Sequence, residues 1–137
     1  MPNWCTNRVG IYANDKKEIK KIKKLLQGED SVFDFNKIVP MPEEFNDEKE
    51  LTELESARLK KKHGAVGWRE WCVKNWGTKW DADAAEITEE EEFSIVYEFN
   101  TAWSPPVPLV YKIRARFPKL KISAFYDEPG VERAGYY

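Results

Sequence analysis

Apolar and polar residues alternate with a period of two in three stretches of this chain and recur at helical spacing in others. From Trp4 to Tyr12, Cys5, Val9 and Ile11 fall on one face, and Thr6, Arg8 and Gly10 on the other, which predicts a half-covered strand. Phe93, Ile95, Tyr97 and Phe99 alternate with Ser94, Val96, Glu98 and Asn100, the clearest strand in the chain. Leu120, Ile122, Ala124 and Tyr126 alternate as a last strand, followed by a turn over Asp127-Glu128-Pro129-Gly130. Trp80 to Thr88 is a weaker strand candidate, poor in β-branched residues, and Glu89 to Glu92 reads as a solvated hairpin turn behind it.

Helical spacing appears first after Asn14 and Asp15, either of which can cap a helix. There Ile19, Ile22, Leu25 and Leu26 form an apolar stripe on an otherwise lysine-rich segment, with Gly28 expected to close it. The six lysines from Lys16 to Lys24 keep the outer face wet, with contact to phosphate as the functional alternative. Val110, Ile113 and Phe117 predict a second core helix from about Val107, stopped by Pro118. The order is strand, helix, insertion, strand, strand, helix, strand. Without the insertion at about 29–79 this is an α+β, ferredoxin-like βαββαβ sandwich, with an antiparallel sheet and both helices on one face.

The insertion has its own pattern. Phe33 to Pro42 alternates briefly and then meets two prolines, so it reads as extended or as an edge segment. Phe45 to Asp47 leads to a charged helix from about Lys49 to Lys62, with Leu51, Leu54 and Leu59 as its thin apolar face. Gly64 and Gly67 break it, and Trp68, Trp71 and Cys72 mark a short second helix that ends at Gly77. These helices are aromatic enough to cover an edge or an end of the sheet. Tyr136 and Tyr137 are expected to lie back against the sheet.

Length and charge narrow the class. The 137 residues suit one domain spanning 1–137, and 19 aromatic residues (six Trp, six Tyr, seven Phe) provide ample core without a staple. A net charge of −2 argues against a strongly basic nucleic-acid binder while leaving room for a local patch. Cys5 and Cys72 match no disulfide, zinc or redox spacing and read as reduced thiols. With neither a leader nor an apolar run of membrane-spanning length, the expected location is cytoplasmic and no membrane partner is expected.

Two turn-rich segments concentrate chemistry, Asn75 to Asp83 and Thr101 to Pro106, and they are expected to face each other at one end of the sandwich. In the functional reading Trp76, Trp80 or Trp103 stacks on a flat ligand, while Lys79, Asn75, Thr78 and Arg8 supply polar contacts and Asp81 lies alongside. Stacking plus a few cations is how single-stranded nucleic acid is held without reading sequence. In the structural reading the indoles only cement the insertion to the sheet. The enzymatic alternative is a metal-dependent site on Asp81 and Asp83, two apart and so on one face of a strand, completed by Asp127 or Glu128. His63, the single histidine, sits at a lysine-rich helix end, where it favours the helix dipole rather than forming a triad or zinc site.

Met1 to Val9, Phe35 to Pro42, Asn75 to Asp81 and Thr101 to Pro106, taken in order, resemble the YubB-like, or Api-type, phage protein ferredoxin-like domain family. The resemblance spans nearly the whole chain. It implies the ferredoxin-like fold, a phage or plasmid origin and an uncharacterised function. It implies no iron–sulfur cluster, for which two cysteines are too few. RNA-recognition modules share this topology but place stacking aromatics on central strands, whereas Tyr97 and Phe99 here are expected to face the helices. The expectation is a non-catalytic binding module without a cofactor, with a host protein or single-stranded nucleic acid as its partner.

Overall fold

The computed structural model describes residues 2–46 and 50–137; Met1, Asp47, Glu48 and Lys49, and so the predicted start of the charged helix, lie outside the described residues. Five antiparallel strands form one sheet in the order β2-β3-β1-β4-β5. They are β1 (Trp4–Tyr12), β2 (Asp83–Glu91), β3 (Ser94–Ala102), β4 (Lys121–Glu128) and β5 (Arg133–Tyr136). Two long helices, α1 (Lys16–Leu26) and α4 (Val107–Arg116), complete the βαββαβ unit. Between α1 and β2 lie two 3-10 turns, Phe35–Lys37 and Glu43–Asn46, and two further helices, α2 (Glu53–His63) and α3 (Trp68–Asn75). This is the expected ferredoxin-like architecture with its helical insertion.

Register explains why one side of the sheet is apolar. Val9 opposes Tyr97 and Ala124, and Ile11 opposes Ile95 and Ile122, so these side chains share a face. Ile19, Ile22 and Leu26 of α1, and Leu109, Val110 and Ile113 of α4, are buried in the same core. The Asp15 side chain caps α1, as its sequence predicts. Gly28 does not close that helix. The α1 cap is Gln27 in extended conformation, and Gly28 is small because a side chain there would meet the Asp34 carboxylate.

The insertion joins the core rather than an edge of the sheet. Phe33 stacks on Phe99 at 4.8 Å and meets Tyr97 edge-on at 5.0 Å, while Phe35 packs against Phe99 and Trp76. The 33–42 segment is therefore three core anchors, Phe33, Phe35 and Ile38, around a 3-10 turn that Asp34 caps through Asn36 N. In α2 only Leu59 is buried and Leu54 is 81% exposed, so the expected leucine face is one residue wide. His63 is not an exposed end: its ring packs against Phe45 at 5.3 Å, with Nε2 3.4 Å from Glu44.

Other differences lie at the strand ends. Glu89 to Glu91 pair with β3, and the turn holds only Glu92 and Phe93. Asp127 and Glu128 continue β4, and after a 3-10 turn at Pro129–Val131 the chain returns as β5 beside it. Tyr137 does fold back, donating from its hydroxyl to Asn7 Oδ1 at 2.8 Å.

Within this core the Tyr97 hydroxyl is buried and has no hydrogen-bond partner among the described residues. An unsatisfied buried hydroxyl is a net cost, so Tyr97→Phe should stabilise the fold by about 1 kcal/mol. Denaturant midpoints of the two proteins check this, and a loss of stability would show the hydroxyl to be satisfied in solution.

Candidate functional site

Helix α3 buries Trp71 and Cys72 and leaves Arg69 and Val73, four residues apart, on its opposite side. Gly77 then turns the chain at φ +91°, where a Cβ would lie 2.6 Å from Pro108 Cδ, so a glycine is needed on both counts. The turn brings Thr78 and Lys79 against the link between β3 and α4. Thr78 Oγ1 donates to Ala102 O at 2.8 Å, and Ser104 Oγ donates to Gly77 O. The two segments singled out in the sequence do meet.

Between them lies a cleft of about 470 Å³ lined by Arg69, Val73, Thr78, Lys79, Ala102, Trp103 and Ser104. Trp103 is 51% exposed and holds φ at +70°, a left-handed conformation that costs a bulky residue about 1–2 kcal/mol. Its backbone is pinned from several sides. Trp103 N donates to Asn3 O at 2.8 Å, and Thr101 Oγ1 donates to Ser104 O at 2.7 Å. Asn7 Nδ2 in turn donates to Thr101 Oγ1 at 2.8 Å, and Tyr137 holds Asn7. A buried polar chain thus runs from the last residue to the loop that displays Trp103. Arg69 and Lys79 have no carboxylate partner among the described residues, so the cleft is cationic.

The remaining expected residues divide. Lys79 Nζ lies 4.1 Å from the centre of the Trp80 ring, and Trp80, 41% exposed, packs on Trp4 at 6.2 Å beside the cleft. Trp76 is a core residue, 3% exposed, whose indole N–H donates to Val39 O at 2.8 Å; it cannot stack on a ligand. Asn75 donates to Trp71 O within its own helix. Arg8 points to the helix-free face of the sheet and pairs loosely with Glu89 and Glu98, about 13 Å along β1 from Trp4. Arg69 and Val73 escaped the sequence reading, whereas Ser104 lies within the Thr101 to Pro106 segment it singled out. An apolar Val73 on the outer side of α3 was the one signal for them.

Asp81 faces a different cavity, of about 650 Å³, shared with Asp34, Asp83, Glu29 and Asp30. Asp81 Oδ1 accepts from Phe35 N at 2.9 Å and Ala82 N at 2.7 Å, and Oδ2 from Asn36 Nδ2 at 3.3 Å. Burial, and then a hydrogen bond with the Asp34 carboxyl, push its pKa up to about 7. Asp127 and Glu128 do not join this pair. Asp83 opposes Asn100, Asn100 opposes Thr6, and Thr6 opposes Asp127, which separates the acids by three strand spacings, about 14 Å. The alternative metal site on Asp81, Asp83 and Asp127 or Glu128 is therefore not assembled. Among the described residues no three His, Cys, Asp or Glu side chains converge to hold a metal ion.

Fold and cleft together define a ferredoxin-like α+β domain with a cationic, tryptophan-lined surface cleft. Residues 75–137 match a family model described as the ferredoxin-like domain in Api92-like protein. The whole fold is similar to the crystal structure of protein api92 from Yersinia pseudotuberculosis, with a TM-score of 0.58 at 11% identity, covering 99% of this chain and 93% of that one. No curated protein matches. Among the described residues no helix is long and apolar enough to cross a membrane.

Proposed function

We propose that this chain acts as one non-catalytic binding unit whose Trp103 cleft takes single-stranded nucleic acid. The observation that carries the reading is Trp103 itself, an exposed indole held in a strained conformation in a cleft that Arg69 and Lys79 also line. Strain in a bulky side chain, fixed by a hydrogen-bonded loop, is a mark of preorganisation for a ligand. An indole face suits a base, and the Arg69 and Lys79 cations that line the same cleft suit the flanking phosphates. A buried free thiol at both Cys5 and Cys72 supports a reducing, cytoplasmic setting, and the resemblance to phage- and plasmid-borne chains supports an accessory role on a mobile element.

The test is a tryptophan-fluorescence titration with short single-stranded and duplex DNA and RNA at low and moderate salt. Single strands should quench, and Trp103→Gly should weaken binding about 5- to 100-fold, the worth of one stacked base. Because glycine relieves the left-handed strain, that variant should remain as stable as the parent or gain stability. Arg69→Gln with Lys79→Gln should flatten the salt dependence. No binding at any salt, or equal binding by Trp103→Gly, sinks the nucleic-acid reading.

A further inference from the structure

The sheet has a second surface, the face turned away from every helix. By the alternation of β1 and its neighbours this face displays Arg8 and Tyr12, Glu98 of β3, Glu86 and Glu89 of β2, Phe125 of β4 and Tyr136 of β5. It has two halves.

On the β1-β4-β5 side, three aromatic rings stand exposed together. Tyr136 is 79% exposed and meets Phe125 edge-on at 5.0 Å, and the Tyr12 ring lies over Gly10, where a Cβ would come within 2.8 Å of its hydroxyl. Glycine thus lets Tyr12 lie down as a shelf. With Arg8 and Ser123, these rings line a shallow pocket of about 180 Å³. Clustered exposed rings with nothing over them mark an interaction surface.

On the β2-β3 side the face is acidic. Glu86 sits directly across from Glu98, a like-charge cross-strand pair that weakens the sheet, and Glu89 follows on the same strand. Arg8 is the one cation among them, and its contacts of 3.7 Å and 3.9 Å, between groups about half exposed, are weak. Three carboxylates against one guanidinium leave the strip anionic, which repels nucleic acid.

We propose that this open face docks an arginine-rich protein segment. The guanidinium group is the chemistry that satisfies both halves at once. It forks onto carboxylates and its plane stacks on aromatic rings, whereas an ammonium does only the first well. A bound guanidinium also relieves the Glu86–Glu98 repulsion. A second copy of this chain is a poorer occupant, since it would bring the same acidic strip.

The test titrates the full chain with nona-arginine, nona-lysine and a short single-stranded DNA, read by calorimetry at low and moderate salt. Nona-arginine should bind at least about fivefold more tightly than nona-lysine, the difference that ring stacking adds. Glu86→Gln with Glu89→Gln and Glu98→Gln should weaken nona-arginine binding at least about tenfold. Phe125→Ala with Tyr136→Ala should erase the preference for arginine over lysine. Glu29→Gln with Asp30→Asn, which removes two acids that line the Asp81 cavity and lie outside the sheet, should weaken nona-arginine binding less than about twofold. Circular dichroism confirms that each variant is folded, and these surface positions leave the core intact.

Equal affinity for the two peptides, or equal weakening by the Glu29 and Asp30 variant, would reduce the binding to general charge attraction and overturn the proposal. DNA binding lost in the Phe125 and Tyr136 variant, or self-association on gel filtration abolished by it, would assign the face to those occupants instead. Trp103→Gly leaves this face untouched, so the two surfaces stand or fall separately.

Discussion

Phe33→Ala should lower the unfolding free energy by about 3–5 kcal/mol, the cost of emptying a fully enclosed aromatic site. Phe33 is completely buried, and its ring contacts Phe35, Tyr97 and Phe99 at centroid distances of 5.9, 5.0 and 4.8 Å. It is the point where the insertion grips the sheet, so its removal takes away both transfer energy and ring contacts on two sides. Tyr97 and Phe99 lie on a central strand and Phe35 is held by the Asp34 turn, so collapse into the cavity is restricted. Urea unfolding of parent and variant measures the effect. A shift of less than about 1 kcal/mol would mean that the insertion is anchored elsewhere, with Trp71 and Trp76 as the next candidates.

Thermal stability should fall as pH rises from about 5 to 8, and Asp81→Asn should remove most of that fall. The sign follows from the proton on the Asp81–Asp34 pair. Asp81 has a folded pKa of about 7 against an ordinary 3.8, so between those values the folded state holds a proton that the unfolded state has released. The stabilisation is complete below the unfolded value and is lost as pH climbs through the folded one. Glu44 and Glu70 shift downward beside Lys62 and Lys60, but both titrate below this window. Cys5 and Cys72 are pushed up to about 11 by burial, above it. Asparagine keeps the carbonyl oxygen that accepts from Phe35 and Ala82, and its amide can donate to Asp34 as the protonated acid does. Melting curves across this range decide the matter. A flat profile in the parent, or an undiminished slope in Asp81→Asn, would show that the pair does not share a proton.

The fold could be read because its strands and core helices bury one face each. Period two in Cys5 to Ile11 and Ile95 to Phe99, and helical spacing in Ile19 to Leu26, are direct imprints of that one-sided burial. Strand β5 left no such imprint. Arg133-Ala134-Gly135-Tyr136 is an edge with little apolar alternation, and it is a strand because its backbone pairs with β4. The glutamates of β2 misled for a related reason: on an exposed edge, composition follows solvent rather than the backbone.

At the site, turn chemistry made the two loops legible, but aromatic identity did not separate a displayed indole from a packed one. Trp76 and Trp103 look alike in sequence. What distinguishes them is Val39 O waiting for one indole N–H and a left-handed backbone under the other. Asp34 was overlooked because its partner, Asp81, is 47 positions away.

The row of glutamates on β2 has one more effect. This strand is an outer border of the sheet and, among the described residues, pairs only with β3, so the other side of its backbone pairs with no strand. In neutral solution Glu86, Glu89, Glu90 and Glu91 repel any second copy that approaches along that border. The glutamates therefore guard a border along which folded chains would otherwise join into extended sheets.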